Sequence, residues 1–551
     1  MKHRRYWLLA GLILSAGLAF QIAGAWQDGM TSDEGNHLAA GVVYWQTGNF
    51  TWNPAHPPLV KLMAAVPLQI GRMVYVNTAW RAWQIQYLPG LITNLFYDQT
   101  GIARPQLLFF LGRLPVLAFW LLLGILLFCW SRSRWGFGAT FLTLGVYVFD
   151  PNFLGHGHLI NTDVPVTAMI FATLWAADRY FRSPKLKPLL LLALLFGLTQ
   201  VTKFSAVILW PIVLALGVLK IWTSRGEFRW RQWLMMAGAL VAVTGGIIWT
   251  TYGFEARRLH VSGSSPRRIV RMVSAMAIPY PAASYWRGLY DVIIHNEGGH
   301  TSYLNGQTTT NGQWNYFPEA LALKTPLLTL VLFAIWMAAG GRTLYGALRR
   351  RPWRRPSFDV WVLGLTPVVI FTISIISNLN IGLRHIFPIY PFIFLAIGSL
   401  ATLSWPMFRH YGAALISGLT VIALIIAWRA WPNTIGYFNA FAGGTNGGHR
   451  YLLDSNVDWG QDVWRLRRFL DQQQFPLVRI QLFTSVPTGK IFPESDHLIR
   501  DADIAAGVQP SGVIVVSTNI LYRNGSKLSW LRSRTSKWRI GSSIYVFDFR
   551  S

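Results

Sequence analysis

The chain has 551 residues, of which 52% are hydrophobic and only 13% are charged. That charged fraction is about half of what soluble globular domains carry. The apolar residues form long blocks rather than narrow stripes, and a helix needs about 20 such residues to cross a hydrocarbon core. This composition excludes an ordinary soluble domain and indicates a polytopic membrane protein.

Charge and cysteine content exclude further classes. The formal net charge of +27 would suit a nucleic-acid-binding protein, but many of the basic residues sit in short loops between apolar blocks, such as KHRR, SRSR and RRRPWRR. The positive-inside rule expects that distribution, so no nucleic-acid partner is predicted. The single cysteine, Cys129, excludes an intramolecular disulfide, an iron–sulfur cluster and a cysteine-rich zinc site.

About eleven apolar segments are predicted to cross the membrane. The first, residues 7–25, is longer than the apolar core of a signal peptide and is expected to stay uncleaved. Eleven spans place the N-terminus in the cytoplasm and the C-terminal segment outside, with the basic turns on the cytoplasmic side. The predicted spans are 7–25, 107–130, 135–149, 164–180, two within 188–222 that meet at an outside turn at Lys203, 233–252, 327–348, 360–377, 386–403 and 413–431.

The regions between the spans fall into four outside loops and a C-terminal domain. The loops are 26–106, which is expected to hold short helices along the interface, and 150–163, 253–324 and 378–385. From residue 432 the pattern changes, because DSNVDWGQDVWRLRRFLDQQQ predicts a helix and VRIQLFT, GVIVVST and SIYVFDF predict strands. We therefore expect a transmembrane module over residues 1–431 and a small extracytoplasmic α/β domain over 432–551.

Three carboxylates stand out at the predicted outer ends of the spans. Asp33 and Glu34 follow the first span, and Asp163 lies in HGHLINTDVP. A carboxylate there can act as a general base on a hydroxyl or an amine. Adjacent helical side chains diverge by about 100°, so one of the pair is expected to be the base and the other to orient it. The alternative for the pair is an ordinary acidic helix start.

Basic and aromatic residues occupy the same predicted face. Lys203 and Arg384 suit a phosphate, arginine as a bidentate fork and lysine as a point charge; snorkelling to the interface is the alternative for single lysines. His156 and His158, with Asp33 or Asp163, raise a divalent metal site, but a lone H-x-H pattern is weak. We therefore assign no metal and no cofactor. The candidate substrate-binding set is His56, Lys61, His158, Lys203, Tyr303, Arg384 and His385.

These stretches resemble one family of enzymes. DEGNHLAAG with AHPPLVK resembles the first outside loop of the protein O-mannosyltransferases, and HGHLINTDVP resembles the second acidic loop of that family and of the lipid A aminoarabinose transferases. GHTSYLNG, GQWNYFPEALALKTPL, LNIGLRHIFPIYPF and LDSNVDWGQDVWRLRRFL resemble bacterial phospholipid-carrier-dependent glycosyltransferases. The resemblance implies an α-helical polytopic membrane protein with the C-type glycosyltransferase (GT-C) fold.

The resemblance also implies an activity and roles for residues. Such enzymes move a sugar from a polyprenyl phosphate on the outer leaflet of the plasma (inner) membrane to a glycan, lipid or protein acceptor, with inversion at the anomeric carbon. Asp33 would be the base, Glu34 would assist it, and Asp163 would position sugar or acceptor. His56 replaces a lysine of the aminoarabinose transferases, which argues against lipid A as acceptor. The β-trefoil insert of the eukaryotic mannosyltransferases is missing, so a protein acceptor gains no support.

A transporter or flippase of a lipid-linked or anionic substrate is the competing interpretation. Transporters place charged sites near the bilayer midplane, whereas here the charged motifs crowd the outer ends of the spans. An enzyme predicts that the loops of Asp33, Asp163 and Arg384 line one cavity. The polar cluster Asp454, Asn456, Asp458, Trp459 and Asp462 is left with two interpretations, namely helix capping with domain docking or acceptor recognition.

Overall fold

The computed structural model describes residues 2–99, 104–224, 226, 228–259, 278–349, 358–403, 406–496, 498–523 and 525–550. Most of the basic segment 349–355 and residues 260–277 of the third predicted outside loop therefore lie outside the described residues. The described part is mainly helical. Its α-helices are Lys2–Gln27, Glu34–Thr47, Leu59–Ile70, Arg81–Gln84, Leu88–Thr93, Pro105–Arg113, Leu117–Val148, Pro151–His156, Asp163–Arg182, Leu186–Gln200, Leu209–Thr223, Trp230–Thr251, Ala283–Gly298, Tyr316–Lys324, Leu327–Arg349, Phe358–Ile375, Tyr390–Ser399, Pro406–Ala430, Gly444–Gly447, Val463–Gln473, Thr488–Ile491, Asp501–Ala505 and Thr518–Tyr522.

The long apolar helices follow the predicted spans. Six described segments are long and apolar enough to cross a membrane, and a pair bent by 113° would make a seventh. Shorter apolar helices, such as Leu186–Gln200, were also among the predicted spans. This is a multi-pass membrane protein, and the count of eleven stays a prediction. The six segments are Arg4–Gln27, Pro105–Val148, Phe204–Thr223, Trp230–Thr251, Leu383–Thr402 and His410–Ala430.

Two predicted turns between spans are present. The hydrogen-bonded helix Leu117–Val148 bends at Gly136, which has φ 78°, just after the SRSR turn. Glycine tolerates that left-handed conformation without a side-chain clash. At the opposite end of the spans, helix Leu186–Gln200 ends before Lys203, and the chain returns through the 3₁₀ turn Phe204–Ile208 into helix Leu209–Thr223. Lys203 therefore lies in the connection, as predicted.

Two helices of the first predicted outside loop pack closely against each other. Helices Glu34–Thr47 and Leu59–Ile70 approach closely at Gly41, where an added Cβ would lie 2.1 Å from the carbonyl oxygen of Lys61. A residue without a side chain is required at that contact. This pairing holds the start of helix Glu34–Thr47, and with it Asp33, close to the loop that carries His56.

The C-terminal region contains a five-stranded mixed sheet, which agrees with the predicted α/β domain. Its strands are β5 (Val478–Gln481), β6 (Ser495–Asp496), β7 (Gly512–Ser517), β8 (Trp538–Ile540) and β9 (Ile544–Phe549) in the order β6-β5-β7-β9-β8. Strands β5, β6 and β7 are parallel, whereas β9 runs antiparallel to β7 and β8. Two short hairpins precede the sheet: β1 (Ala256–Arg258) with β2 (Pro279–Pro281), and β3 (Ser302–Leu304) with β4 (Gln307–Thr309).

Both faces of the sheet are covered by apolar side chains. Successive side chains along a strand point to opposite faces, so neighbouring residues of β7 enter different cores. Val513 and Val515 belong to the main apolar core together with Leu466 of helix Val463–Gln473, while Ile514 and Val516 face a second, smaller core. The predicted helix begins only at Val463, so the acidic residues before it form a loop with a 3₁₀ turn at Asp454–Asn456.

That acidic loop attaches the C-terminal region to the first outside loop. The Gly29 amide donates to the carbonyl of Gln461 at 2.7 Å, and the Ser32 amide donates to the carbonyl of Trp459 at 2.9 Å. The Arg465 guanidinium contacts Asp28 at 2.6 Å. The C-terminal region is thus seated directly beside Asp33.

Candidate active site

A cavity of about 660 Å³ lies where the loops of Asp33, His56, Lys203 and Arg384 meet. Its lining contains both charged or polar side chains and apolar side chains. The charged and polar side chains include Asp33, His56, Lys203, Asp291, His295, His300, Arg384 and His385. The apolar ones include Phe204, Val207, Leu289, Val292, Ile293, Leu379 and Ile381.

Arg384 joins the predicted loops at the polar end of the cavity. Its Nη1 donates to Asp33 Oδ2 at 3.2 Å and to Asp163 Oδ2 at 3.0 Å. Lys203 Nζ donates to the other oxygen of Asp163 at 2.5 Å. The loops of Asp33, Asp163 and Arg384 thus meet at one place together with Lys203, although they are distant in sequence, while Asp163 itself is absent from the cavity lining.

The C-terminal loop fixes the Arg384 side chain. Arg384 Nε donates to Ser455 Oγ at 3.1 Å, and the guanidinium lies 4.2 Å from the centre of the Trp459 ring, a cation–π contact. The Leu383 amide donates to Asn456 Oδ1 at 3.0 Å. Within the described residues, the second terminal nitrogen of Arg384, Nη2, donates no hydrogen bond. Arg384 therefore has a donor to spare on the cavity.

Asp33 is the accessible carboxylate of this group. It stands at the N-cap position of helix Glu34–Thr47 but its side chain makes no capping hydrogen bond, so helix capping does not account for it. Its side chain is 32% exposed, whereas that of Asp163 is 1% exposed. Asp33 can meet a substrate in the cavity, while Asp163 reaches it only through Lys203 and Arg384.

Asp163 is an ionised anchor for the two cations. Burial raises the pKa of this carboxyl, but the nearby charges of Lys203 and Arg384 outweigh burial and hold the pKa well below its ordinary value. The backbone amide of Asp163 donates to Asn161 Oδ1 at 3.0 Å, which shapes the turn before helix Asp163–Arg182. The negative charge keeps Lys203 and Arg384 side by side.

Glu34 does not line the cavity, in contrast to the predicted assistance at the same site. It is fully buried, and Arg113 binds both of its oxygens, at 2.8 Å through Nε and 2.6 Å through Nη2. The amides of Thr31 and Ile160 also donate to it, each at 2.9 Å. Burial raises its pKa, but Arg113 and these amides more than offset that effect and lower it. Glu34 therefore connects the segment just before Asp33, through Thr31, to the segment just before Asp163, through Ile160.

Histidines surround the ion pairs. Burial and the charges of His37, Lys203 and Lys61 lower the pKa of His56 well below its ordinary value, so its imidazole is neutral. His56 Nδ1 and His385 Nε2 are buried and have no hydrogen-bond partner among the described residues. The His37 ring lies 5.4 Å from that of His56. His56 and His385 thus each keep a ring nitrogen that a ligand can use.

Three residues of the candidate binding set lie away from the cavity. Lys61 is buried and donates to the carbonyls of Asn53 at 2.5 Å and His56 at 2.7 Å, so it stabilises the loop before it. His158 Nε2 contacts Asp28 Oδ2 at 3.0 Å in a separate buried cluster. Tyr303 lies in hairpin strand β3 beside a smaller cavity.

No metal site emerges from the part of the chain that the structure describes. It contains no group of three or more histidine, cysteine, aspartate and glutamate residues placed to hold a metal ion. His156, the other histidine of the H-x-H pattern, packs with its ring 5.6 Å from that of Trp459.

Sequence reasoning missed several residues that build the site. Ser455 and Trp459, which hold Arg384, come from the acidic loop before helix Val463–Gln473. The sequence showed the polar cluster of this loop but did not indicate that it contacts Arg384. Arg113 lies inside the second apolar segment, where a buried charge is costly and functional by default. The position of Arg113 inside an apolar segment therefore indicated that it binds a buried carboxylate, which the structure identifies as Glu34.

Comparison with known proteins agrees with this architecture. Residues 106–249 match the family model described as dolichyl-phosphate-mannose-protein mannosyltransferase. No curated protein sequence matches the chain significantly. The structure is similar to the Saccharomyces cerevisiae protein O-mannosyltransferase Pmt1-Pmt2 complex bound to the sugar donor, with a TM-score of 0.55 and 11% identity over 78% of this chain and 90% of that one.

A bacterial structure is similar over nearly the whole length. ArnT from Cupriavidus metallidurans, bound to undecaprenyl phosphate, gives a TM-score of 0.46 and 13% identity, covering 98% of this chain and 97% of that chain. At 11% identity and a TM-score of 0.55, the likeness to the yeast complex describes the fold, and the match to the family model covers residues 106–249.

Proposed function

We propose that this chain, whose residues 106–249 match the family model described as dolichyl-phosphate-mannose-protein mannosyltransferase, is a membrane glycosyltransferase that moves a sugar from a polyprenyl phosphate to an extracytoplasmic acceptor. We assign the general base to Asp33. A transporter or flippase is not proposed, since the family match favours transfer and the charged groups gather at the outer ends of the helices.

One observation carries the proposal. An accessible carboxylate, Asp33, stands near two cations, Lys203 and Arg384, in a cavity that also has a large apolar lining. A lipid phosphate ester needs that combination, because its phosphate requires cations and its chain requires an apolar surface. The apolar lining from Phe204, Leu289 and Leu379 would receive the first isoprene units.

The donor phosphate is placed at Lys203 and Arg384. Lys203 has two ammonium protons beyond the one bonded to Asp163, and Arg384 has its free Nη2. The unpaired ring nitrogens of His56 and His385 lie in the same lining. As the sugar departs, negative charge grows on the phosphate, and fixed cations stabilise that charge without reorganisation.

Asp33 acts on the acceptor. The acceptor oxygen forms a bond to the anomeric carbon while the bond from that carbon to the phosphate oxygen breaks. The electron pair of the broken bond stays on the polyprenyl phosphate, and the acceptor proton passes to Asp33. Attack opposite to the leaving phosphate inverts the anomeric configuration. Glu34 and Asp163 act as positioning residues, the first through Arg113 and the second through Lys203 and Arg384.

The orientation in the membrane follows from the basic residues at the opposite helix ends. Arg132 and Arg134 lie at the bend of helix Leu117–Val148, and Arg179 and Arg182 end helix Asp163–Arg182. We propose that this end faces the cytoplasm by the positive-inside rule, with the cavity and the C-terminal domain on the outer face of a plasma membrane.

The test uses purified protein in nanodiscs with a panel of radiolabelled polyprenyl-phosphate sugars and acceptor extract. We expect release of sugar from one donor by the wild type and a loss of at least a hundredfold in Asp33→Asn, which removes a base with little change of shape. Asp291→Asn is the matched control, because Asp291 lines the same cavity without contacting Lys203 or Arg384. Equal rates for wild type and Asp33→Asn would remove Asp33 from the mechanism, and no release from any donor would reject the function.

A further inference from the structure

A second cavity of about 560 Å³ lies in the C-terminal domain. Gln481 ends strand β5, Asp496 ends strand β6, and Asn519 follows the end of strand β7. The cavity therefore opens at the carboxyl ends of the three parallel strands. In open α/β sheets ligands bind in the crevice outside those ends, and the volume falls in the range of ligand sites.

The lining has a definite chemistry. Three cationic side chains, Arg500, Arg523 and Lys527, face one acidic one, Asp496. Asp496 also has a cation of its own, since Arg479 lies 3.8 Å from it. The remaining polar residues of the lining are Gln481, Asn519 and Ser526. The Gln481 amide and the Ser526 hydroxyl beside an excess of cations suit a ligand that carries both hydroxyls and a negative charge.

The cavity is joined to the candidate active site by direct contacts. Asn519 Oδ1 accepts from the Asp454 amide at 2.8 Å, and the next residue, Ser455, holds Arg384. Arg523 Nη2 donates to the carbonyl of Thr301 at 3.2 Å, beside His300 of the active-site lining.

A smaller cavity lies between the two. It is lined by Thr301, Tyr303, Leu453, Asp454, Asn519 and Arg523, so it shares Asn519 and Arg523 with the C-terminal cavity. Tyr303, which was predicted to bind substrate, occupies this intermediate position. This smaller cavity measures only about 10 Å³, and its Thr301 follows His300 of the active-site lining directly in the chain.

We propose that the C-terminal cavity binds an anionic saccharide, the portion of an acceptor glycan remote from the hydroxyl that receives the sugar. This inference rests on the proposed function, because an acceptor is needed only if sugar is transferred. An extended glycan seated at Lys527 and Arg523 would run past Tyr303 toward Asp33. The cavity would thereby select acceptors that carry a carboxylate or phosphate several sugar units from the reaction.

The test measures binding of fluorescently labelled trigalacturonate to the full-length protein in nanodiscs, with labelled maltotriose as the neutral probe. We expect saturable binding of trigalacturonate, weakened at least fivefold by Lys527→Glu and retained by Lys527→Arg. Lys527 is exposed, so neither change burdens the fold. Arg450→Glu makes the same charge change at an exposed position outside this lining and should leave the affinity within twofold.

Several results would overturn the assignment. Equal binding of both trisaccharides, or equal weakening by Lys527→Glu and Arg450→Glu, would show that no specific site exists. Displacement of trigalacturonate by inorganic phosphate at comparable concentration would mean that the cavity takes small anions rather than saccharides. Sugar release from the donor, followed in the wild type in parallel, separates the two proposals: release without saccharide binding rejects the subsite alone, and no release rejects the function.

Discussion

Replacing Glu34 with glutamine tests whether this residue serves the chemistry or the architecture. The carboxylate is fully buried and bound through both oxygens by Arg113. In Glu34→Gln one oxygen becomes an NH₂ group, which would face either the Thr31 amide and Arg113 Nη2 or the Ile160 amide and Arg113 Nε. In either orientation donors oppose donors, and the buried guanidinium loses its counter-charge.

The expected cost can be estimated from that arrangement. Removing one partner of a buried ion pair typically destabilises a protein by about 3–5 kcal/mol, because the other charge stays buried without compensation. We expect a markedly lower midpoint of thermal unfolding for Glu34→Gln in detergent, followed by circular dichroism. Asp98→Asn is the control: Asp98 pairs with Lys490 at 2.9 Å with both side chains partly exposed, and such surface pairs contribute about 1 kcal/mol or less.

Turnover of the folded fraction completes the assay. If Glu34 acts only through position, the remaining folded protein at low temperature keeps a Km for the donor close to that of the wild type. A Glu34→Gln protein with wild-type thermal stability and no turnover would refute this reasoning and return Glu34 to the chemistry.

Two further predictions concern the donor site and acid stability. Arg384→Ala should weaken donor binding by roughly ten- to a hundredfold, since a hydrogen bond to a charged group contributes about 1.5–3 kcal/mol; Arg384→Lys should recover part of that affinity in a donor-binding titration, and unchanged affinity in Arg384→Ala would contradict a phosphate role. Burial and the charge of Lys61 lower the pKa of His37 from 6.5 to about 4. Between these values the folded protein holds fewer protons than the unfolded chain, so stability falls as pH falls, by about 3 kcal/mol in total. His37→Gln should flatten the dependence of the unfolding midpoint on pH between 6.5 and 4, and an equally steep dependence in the variant would assign the effect to another group.

The meeting of the polar loops could be predicted because alternate ends of successive spans lie on the same side of a membrane. Each of the four residues Asp33, Asp163, Lys203 and Arg384 adjoins such an end. Their location at the same ends of the spans could therefore be predicted from the order and direction of the spans. The turn at Lys203 was predictable for a similar reason, since a charged side chain is costly inside the hydrocarbon core and a long apolar run interrupted by one is expected to turn there.

The roles of neighbouring residues could not be predicted in the same way. Glu34 follows Asp33 directly, but a rotation of about 100° per residue directs it to Arg113 rather than to the cavity. Lys61 bonds to the carbonyls of Asn53 and His56, which no pattern of side chains reveals. His158 was assigned to the substrate by its motif, yet its partner is Asp28, a residue outside every recognised motif.

The attachment of the acidic loop to the first outside loop has a consequence for biosynthesis. Arg384 takes its position from Ser455 and Trp459, and the backbone of Trp459 pairs with Ser32. These contacts require residues that follow the apolar helix Pro406–Ala430 in the chain. A chain interrupted before residue 455 would hold every carboxylate and cation of the cavity, yet its guanidinium would have neither of these supports. Assembly of the candidate active site therefore has to wait until the chain has been synthesised past Trp459.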